Sequence, residues 1–294
     1  KNCGPSVPFA VGISPAHPFF RAVMTAHGGL MKVAFLIMGI PPALALSISD
    51  VRPTVVVAGA TGKVGSAVVR SLVESGGVEV VALVRSAEKA RALYGDGSGV
   101  TIAEADYSDT DALDAALCQH PACRLFIACS NVPQQARLEM NLCEAAVRHG
   151  AAYAVKLSTV TPVLEMKEGG PYAAHLASEQ ALAASGLPFT ILRPNLFMQM
   201  LTDGFLGLGL DEQGKSEHPF AAARISMVDA RDVGDCAAAL LAQSGSPADS
   251  AHNGATYRLS GPAAVTVGGE LASAVSALRL QPIHVAPCTA SEML

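Results

Sequence analysis

The sequence predicts an α/β fold: a doubly wound parallel sheet, helices on both faces, and a small lobe appended at its C-terminal end. Three observations predict it. Short β-branched apolar runs alternate with segments of helical spacing from Asp50 onward. The early runs are apolar throughout, as in strands buried on both faces. Glycines cluster between the first run and the first helical segment, at Gly59, Gly62 and Gly65.

The first strand is read at 54–58, and 63–74 follows with Val64, Ala67, Val68 and Leu72 on one helical face. Gly76-Gly77 ends that helix, because glycine takes the positive φ required just past it. A second strand is read at 78–84, a short helix at 87–93, a Gly-rich loop at 95–99 and a third strand at 100–105. Asp109 is placed to cap a helix that runs to Leu117. The fourth strand is read at 125–128, a long helix at 134–149 and the fifth strand at 152–157. Such alternation implies parallel pairing through right-handed crossovers. The second half is less regular. It reads as a helix at 172–185 and a sixth strand at 189–193, stopped by Pro194. The apolar, Gly-dotted stretch 195–214 suggests a mobile loop or a short helix beside a pocket. A helix at 231–242, a strand at 256–260 and a helix at 267–278 complete the reading.

A chain of 294 residues, half of them apolar, can bury a full core as one α/β domain with a lobe. Its net charge of −5 offers nothing to nucleic acid or to an anionic membrane. The seven cysteines are scattered without a CxxC pair and read as reduced thiols, and the histidines do not group at metal-ligand spacing. Residues 1–50 form a separate extension. Met31-Lys32, a short apolar run at 33–40, Pro41-Pro42 and Ala43-Leu44-Ala45 describe a targeting segment rather than a membrane span, the alternative being an N-terminal helix packed on the domain. The domain itself is placed at 51–294, its lobe mainly at 195–225 and 255–294.

The glycine loop carries the chemistry. In Gly59-Ala60-Thr61-Gly62-Lys63-Val64-Gly65, the first glycine allows a tight turn and the second a close backbone approach to a pyrophosphate. The third lets helix and strand pack closely. The helix that opens there presents free N–H groups and a positive dipole end to phosphate. Strand, loop and helix together read as a Rossmann-type dinucleotide site. At the end of the second strand stands Val84-Arg85-Ser86, where an NAD-selective site places a carboxylate. A guanidinium there grips a 2′-phosphate, so NADP(H) is expected over NAD(H). Asp106, past the third strand, is either an adenine contact or a turn residue.

From about Thr54 onward the chain resembles the NmrA-like, or atypical short-chain dehydrogenase/reductase, family. The resemblance rests on the glycine loop and Val84-Arg85, then Ala105-Asp106, Val155-Lys156-Leu157-Ser158-Thr159 and His175-x-x-x-Glu179. It continues through the run from Ser185 to Pro194, the run from Val228 to Val233, and Tyr257-x-Leu259-x-Gly261-Pro262. It implies cofactor contacts at Gly59, Thr61, Gly62, Lys63, Val64, Gly65, Arg85 and Asp106. The family includes reductases of quinones, enones and plant phenolics, epimerase-like plastid proteins, and redox sensors that bind the dinucleotide without turnover. Plastid members make a plastid or another organelle the expected destination of the extension, with the cytoplasm as the alternative.

The chain departs from the family's acid–base pattern. Where a catalytic Tyr-x-x-x-Lys would fall, the tyrosine position holds Pro171 and the lysine position His175, with Tyr172 three residues before His175 on one helical face. Candidate catalytic residues are therefore His175, Tyr172 and Ser158, the last at the C-terminal edge of the fifth strand. Ser158 and Thr159 can equally cap the next element, and His175 can equally form a surface pair with Glu179. Lys156 is expected to reach the crevice or to snorkel, and Asp229 and Asp232 to cap and anchor a helix. The C-terminus differs too: 281–294 reads as the start of a further strand and helix, as if the chain stops inside the lobe. Two functions follow. One is an NADPH-dependent reductase of a small conjugated carbonyl. The other is a non-catalytic NADPH-binding redox sensor or an assembly or regulatory protein; the partners expected are a small-molecule substrate and a second copy of the chain or a regulatory protein.

Overall fold

The computed structural model describes residues 52–160, 171–201, 210–218 and 221–288, so the 1–50 extension lies outside the described residues. The first half alternates strictly: β1 (Thr54–Ala58), α1 (Lys63–Ser75), β2 (Glu79–Val84), α2 (Ala87–Tyr94), β3 (Val100–Glu104), α3 (Thr110–Leu117), β4 (Arg124–Ile127), α4 (Gln135–Arg148) and β5 (Tyr153–Leu157). Then come α5 (Pro171–Ala184), β6 (Phe189–Pro194), β7 (Lys215–Glu217), β8 (Arg224–Ile225), α6 (Ala230–Ala242) and β9 (Ala255–Leu259). The last elements are β10 (Val265–Thr266), α7 (Ala272–Arg279) and β11 (His284–Ala286).

Seven strands form one parallel sheet in the order β3-β2-β1-β4-β5-β6-β9. The chain winds outward from β1 to β3, then restarts beside β1 with β4 and winds the other way. A crevice therefore opens at the carboxyl ends of β1 and β4. Successive side chains of β1 serve opposite layers, since a strand alternates its faces. Val55 and Val57 pack with Val64, Val68 and Leu72 of α1 and with Val233, Ala237 and Leu241 of α6. Val56 and Ala58 pack with Leu113 and Leu117 of α3, Leu142 of α4 and Leu182 of α5. The central strands thus read as unbroken apolar runs. The edge strands β3 and β9 are half exposed.

The expected caps form. Asp109 accepts the Ala112 N–H at 2.9 Å to start α3, and Asp229 accepts the Arg231 N–H at 2.7 Å to start α6. The α1–α6 crossing is so close that a Cβ on Gly234 would lie 2.5 Å from the Ala67 Cβ, so only glycine fits. Strand β4 begins one residue earlier than the apolar pattern predicts. Its Arg124 is buried because the guanidinium donates to the carbonyls of Leu241 and Gln243, 2.7 Å each, and closes the C-terminus of α6.

The C-terminal lobe is small. It holds a β7–β11 parallel pair, a β8–β10 antiparallel pair, and a core of Ala221, Val267, Ala272, Ile283 and Val285. The predicted helix at 267–278 begins with a π turn over Val267–Leu271 before α7. Gly268 donates to the Ala221 carbonyl at 2.8 Å there. Strand β11 is the strand expected after Gln281, and the helix expected after it lies outside the described residues beyond 288. In the 195–214 stretch a short 3₁₀ turn, Met198–Leu201, is formed, and 202–209 fall outside the described residues.

Candidate functional site

The phosphate loop joins β1 to α1 at the crevice. Gly59 has φ 72°, and a Cβ there would lie 2.8 Å from the Ala128 carbonyl oxygen at the end of β4. The Gly62 N–H donates to the Gly59 carbonyl at 2.9 Å and closes a four-residue turn. A Cβ on Gly65 would lie 2.1 Å from the same oxygen, so the third glycine clears the loop's own carbonyl at the strand end. No side chain caps α1 and its first turn carries no acid, so the positive end of the helix dipole faces the loop without a competing carboxylate. Thr61, Gly62 and Lys63 are exposed, whereas Val64 is buried, so Val64 can offer a ligand its backbone N–H but not its side chain. The loop is braced from α2, where the Tyr94 hydroxyl donates to the Ala60 carbonyl at 2.5 Å. These residues fit a pyrophosphate: the glycines keep open a cradle that side chains would fill.

Arg85 is exposed just past β2. Its neighbour Ser86 accepts the Lys89 N–H at 3.3 Å as the cap of α2. Asp106 takes the turn role: one carboxylate oxygen accepts both the N–H (2.8 Å) and the hydroxyl (2.6 Å) of Ser108. Those two bonds, together with the charge of Arg85, hold its carboxyl below the usual range. Arg85 and Asp106 therefore lie near enough to feel each other's charge, just past the carboxyl ends of β2 and β3.

On the β5–β6 side the structure brings together residues that the sequence scatters. Ser158, buried past β5, donates its hydroxyl proton to Glu179 of α5. Glu179 is also gripped by Arg193 of β6, with Nε to Oε1 at 3.0 Å. Glu179 is thus bound to Ser158 and Arg193, and a surface His175–Glu179 pair does not form. His175 is 7 % exposed, and its ring lies 3.1 Å from the Gln135 amide nitrogen. Burial, aided by the positive charge of Lys156, pushes its pKa down to about 4. Lys156 neither snorkels nor reaches the crevice. It is 1 % exposed, and its Nζ lies 2.7 Å from Glu139 of α4, itself 2 % exposed. Ser158 caps no described element. Tyr172 lies in the first turn of α5, and its side chain is outside the described residues.

Glu139, Gln135, Arg193 and Tyr94 had no assigned role in the sequence reading. A signal existed for the first. A lysine inside an apolar strand requires a buried counter-charge. Glu139 shares the buried face of α4 with Leu142 and Ala146, three and seven residues on. Nothing in the local pattern of α2 points Tyr94 at a loop 34 residues away.

Beyond β6 and β9, Met198, Met227, Pro262, Ala263, Val265 and Leu271 line an apolar cavity of about 270 Å³. A larger cleft, about 620 Å³, runs along α7 and 280–284 within the lobe, and none of its lining belongs to the sheet edge. Cys129, after β4, keeps its proton, because burial and the negative Glu139 raise its pKa. Among the described residues no three potential metal ligands group together, and no helix is long and apolar enough to cross a membrane.

A doubly wound sheet whose switch point carries an open glycine cradle defines a Rossmann-type dinucleotide-binding protein. The chain belongs to the NAD(P)H-binding family, whose profile matches residues 59–244. It is 30% identical over 240 residues to an NAD(P)H azoreductase of Xenophilus azovorans, covering 80% of this chain and 77% of that one. It is similar in structure to an NADPH-dependent quinone oxidoreductase of Escherichia coli solved with NADPH, with TM-score 0.68, 26% identity, and 81% and 80% of the two chains covered. The fold is shared with NmrA, a negative transcriptional regulator solved with NADP, at TM-score 0.63 and 18% identity over 80% and 74% of the two chains. The family model and the azoreductase relative bear out the resemblance read from the motifs as membership of an NAD(P)H-binding family, and with NmrA the chain shares the fold.

Proposed function

We propose that this chain is an NADP(H)-dependent reductase that passes hydride to a small conjugated acceptor, a quinone or an enone. The observation that carries the reading is the replacement of a strong proton-donating pair. Pro171 and His175 hold the tyrosine and lysine positions, and His175 is buried and neutral near pH 7. Ser158 directs its own proton at Glu179. An isolated carbonyl needs a positioned acid to protonate the developing alkoxide. A quinone does not, because its reduced form is a stabilised anion that can take its proton from water. The reaction balances as NADPH, acceptor and one proton giving NADP⁺ and the reduced acceptor. The bound dinucleotide supplies the hydride. The protein supplies orientation and a dry pocket.

The strand order supports a division of the site. With Arg85 and Asp106 at the ends of β2 and β3, the adenosine half falls on that side of the switch point and the reacting half over β4 to β6. The apolar cavity beyond β6 then suits the ring of the acceptor. Arg85 supports NADP(H) over NAD(H) through a charge-assisted grip on the 2′-phosphate.

The test follows NADPH oxidation by absorbance against a panel of quinones and enones, with His175→Ala and Tyr172→Phe alongside wild type. Turnover of quinones is expected. A loss in either variant would place that residue on the proton path. NADPH binding without turnover of any acceptor would overturn the reductase reading. The other reading, a dinucleotide-binding regulator, would then stand, favoured by the same missing pair.

A further inference from the structure

We propose that Tyr94 is a positioning residue for the dinucleotide: its hydroxyl clamps the Ala60 carbonyl and so aims the Thr61 N–H at the pyrophosphate. The inference rests on dinucleotide binding and not on the reaction that follows it.

The turn closed by the Gly62 N–H on the Gly59 carbonyl has the Ala60–Thr61 peptide at its centre. That central peptide is the unit whose rotation by about half a turn separates the two common turn types. In a trans peptide the C=O and N–H point in opposite directions. A carbonyl held on the α2 side by Tyr94 therefore sends the Thr61 N–H to the other side. The Thr61 N–H has no hydrogen-bond partner among the described residues, and Thr61 is exposed at the opening of α1. The flipped turn would put Thr61 at positive φ, which a β-branched residue resists, and Thr61 is not among the positive-φ residues. Backbone preference and the tyrosine hydroxyl thus select the same orientation. Burial raises the phenol pKa to about 12, so the donor stays protonated throughout the biological range.

The ring and the hydroxyl do separate jobs. The ring packs against the core shared by β1, α1 and α6. The hydroxyl makes the hydrogen bond to the loop. Tyr94→Phe therefore keeps the packing and removes the clamp.

The experiment titrates NADPH and adenosine 2′-monophosphate into the full chain by calorimetry, wild type against Tyr94→Phe. Loss of one neutral hydrogen bond predicts an NADPH Kd raised about fivefold. Adenosine 2′-monophosphate lacks the pyrophosphate and is expected to bind both proteins equally. Unchanged NADPH affinity in the variant, or equal weakening of both ligands, would overturn the proposal. Amide hydrogen exchange in the wild-type chain tests it without any substitution: NADPH is expected to slow exchange at Thr61, and an unchanged rate there overturns it. A wild-type chain that binds no NADPH would instead fail at the level of the family, a result distinct from either.

Discussion

His175 shows how burial changes what a side chain can do. Its imidazole is enclosed by Gln135 and sits in the fields of Lys156 and Glu179, with a pKa of about 4 against an ordinary 6.5. Between those values the unfolded chain takes up a proton that the folded chain refuses. Stability therefore falls as pH drops from about 6.5 towards 4, by up to about 3 kcal/mol for this group, and its contribution levels off below that. The carboxylates with lowered pKa, Asp106, Asp114, Asp229 and Glu270, lose their contribution mainly at lower pH, whereas His120, its pKa also lowered by burial, adds to the loss in this window, so the His175 share is read by difference. Urea unfolding of wild type and His175→Gln at about pH 7 and about pH 4.5 checks this. The wild type is expected to lose more stability between the two, and equal losses would assign the slope to other groups.

At the scale of elements, two glycines that weaken a helix on propensity alone are required by what lies against them. Gly65 clears the Gly59 carbonyl and Gly234 clears Ala67, where α6 crosses α1. Gly234→Ala places a methyl against a packed backbone, and such overpacking costs about 1–3 kcal/mol. The urea midpoint is expected to fall accordingly while the NADPH stoichiometry per folded chain stays the same. An unchanged midpoint would mean that α6 shifts freely on the sheet. The helix was legible from the spacing of Val233, Ala237, Ala238 and Leu241. The crossing was not, because the spacing of one helix says nothing of which residue meets its neighbour.

For the whole molecule, a ligand that binds only the folded state stabilises it by mass action, about 2.7 kcal/mol at a hundredfold excess over Kd. For a domain of this size that raises Tm by roughly 5–10 °C. NADPH is expected to give the larger rise and NADH a smaller one at equal concentration. Arg85→Ala is expected to bring the two together, as a lost grip on the 2′-phosphate requires. Equal rises in the wild-type chain would remove the proposed NADP(H) preference. The same melting curves separate cofactor binding from turnover, so they remain informative if no acceptor is reduced.

The sequence by itself determined the strand–helix alternation, the glycine cradle, the helix caps at Asp109 and Asp229, and the family. Each depends on residues within a turn or two of one another, where period, backbone conformation and hydrogen-bonding chemistry act locally. The tertiary structure decided the rest. It turned Lys156 inward to Glu139, gave Glu179 to Ser158 and Arg193, enclosed His175, and brought Tyr94 to Ala60. Those partners lie 14 to 40 residues apart in the chain. A buried charge or hydroxyl takes the partner that the sheet order places beside it, and the sheet order is a property of the folded chain as a whole.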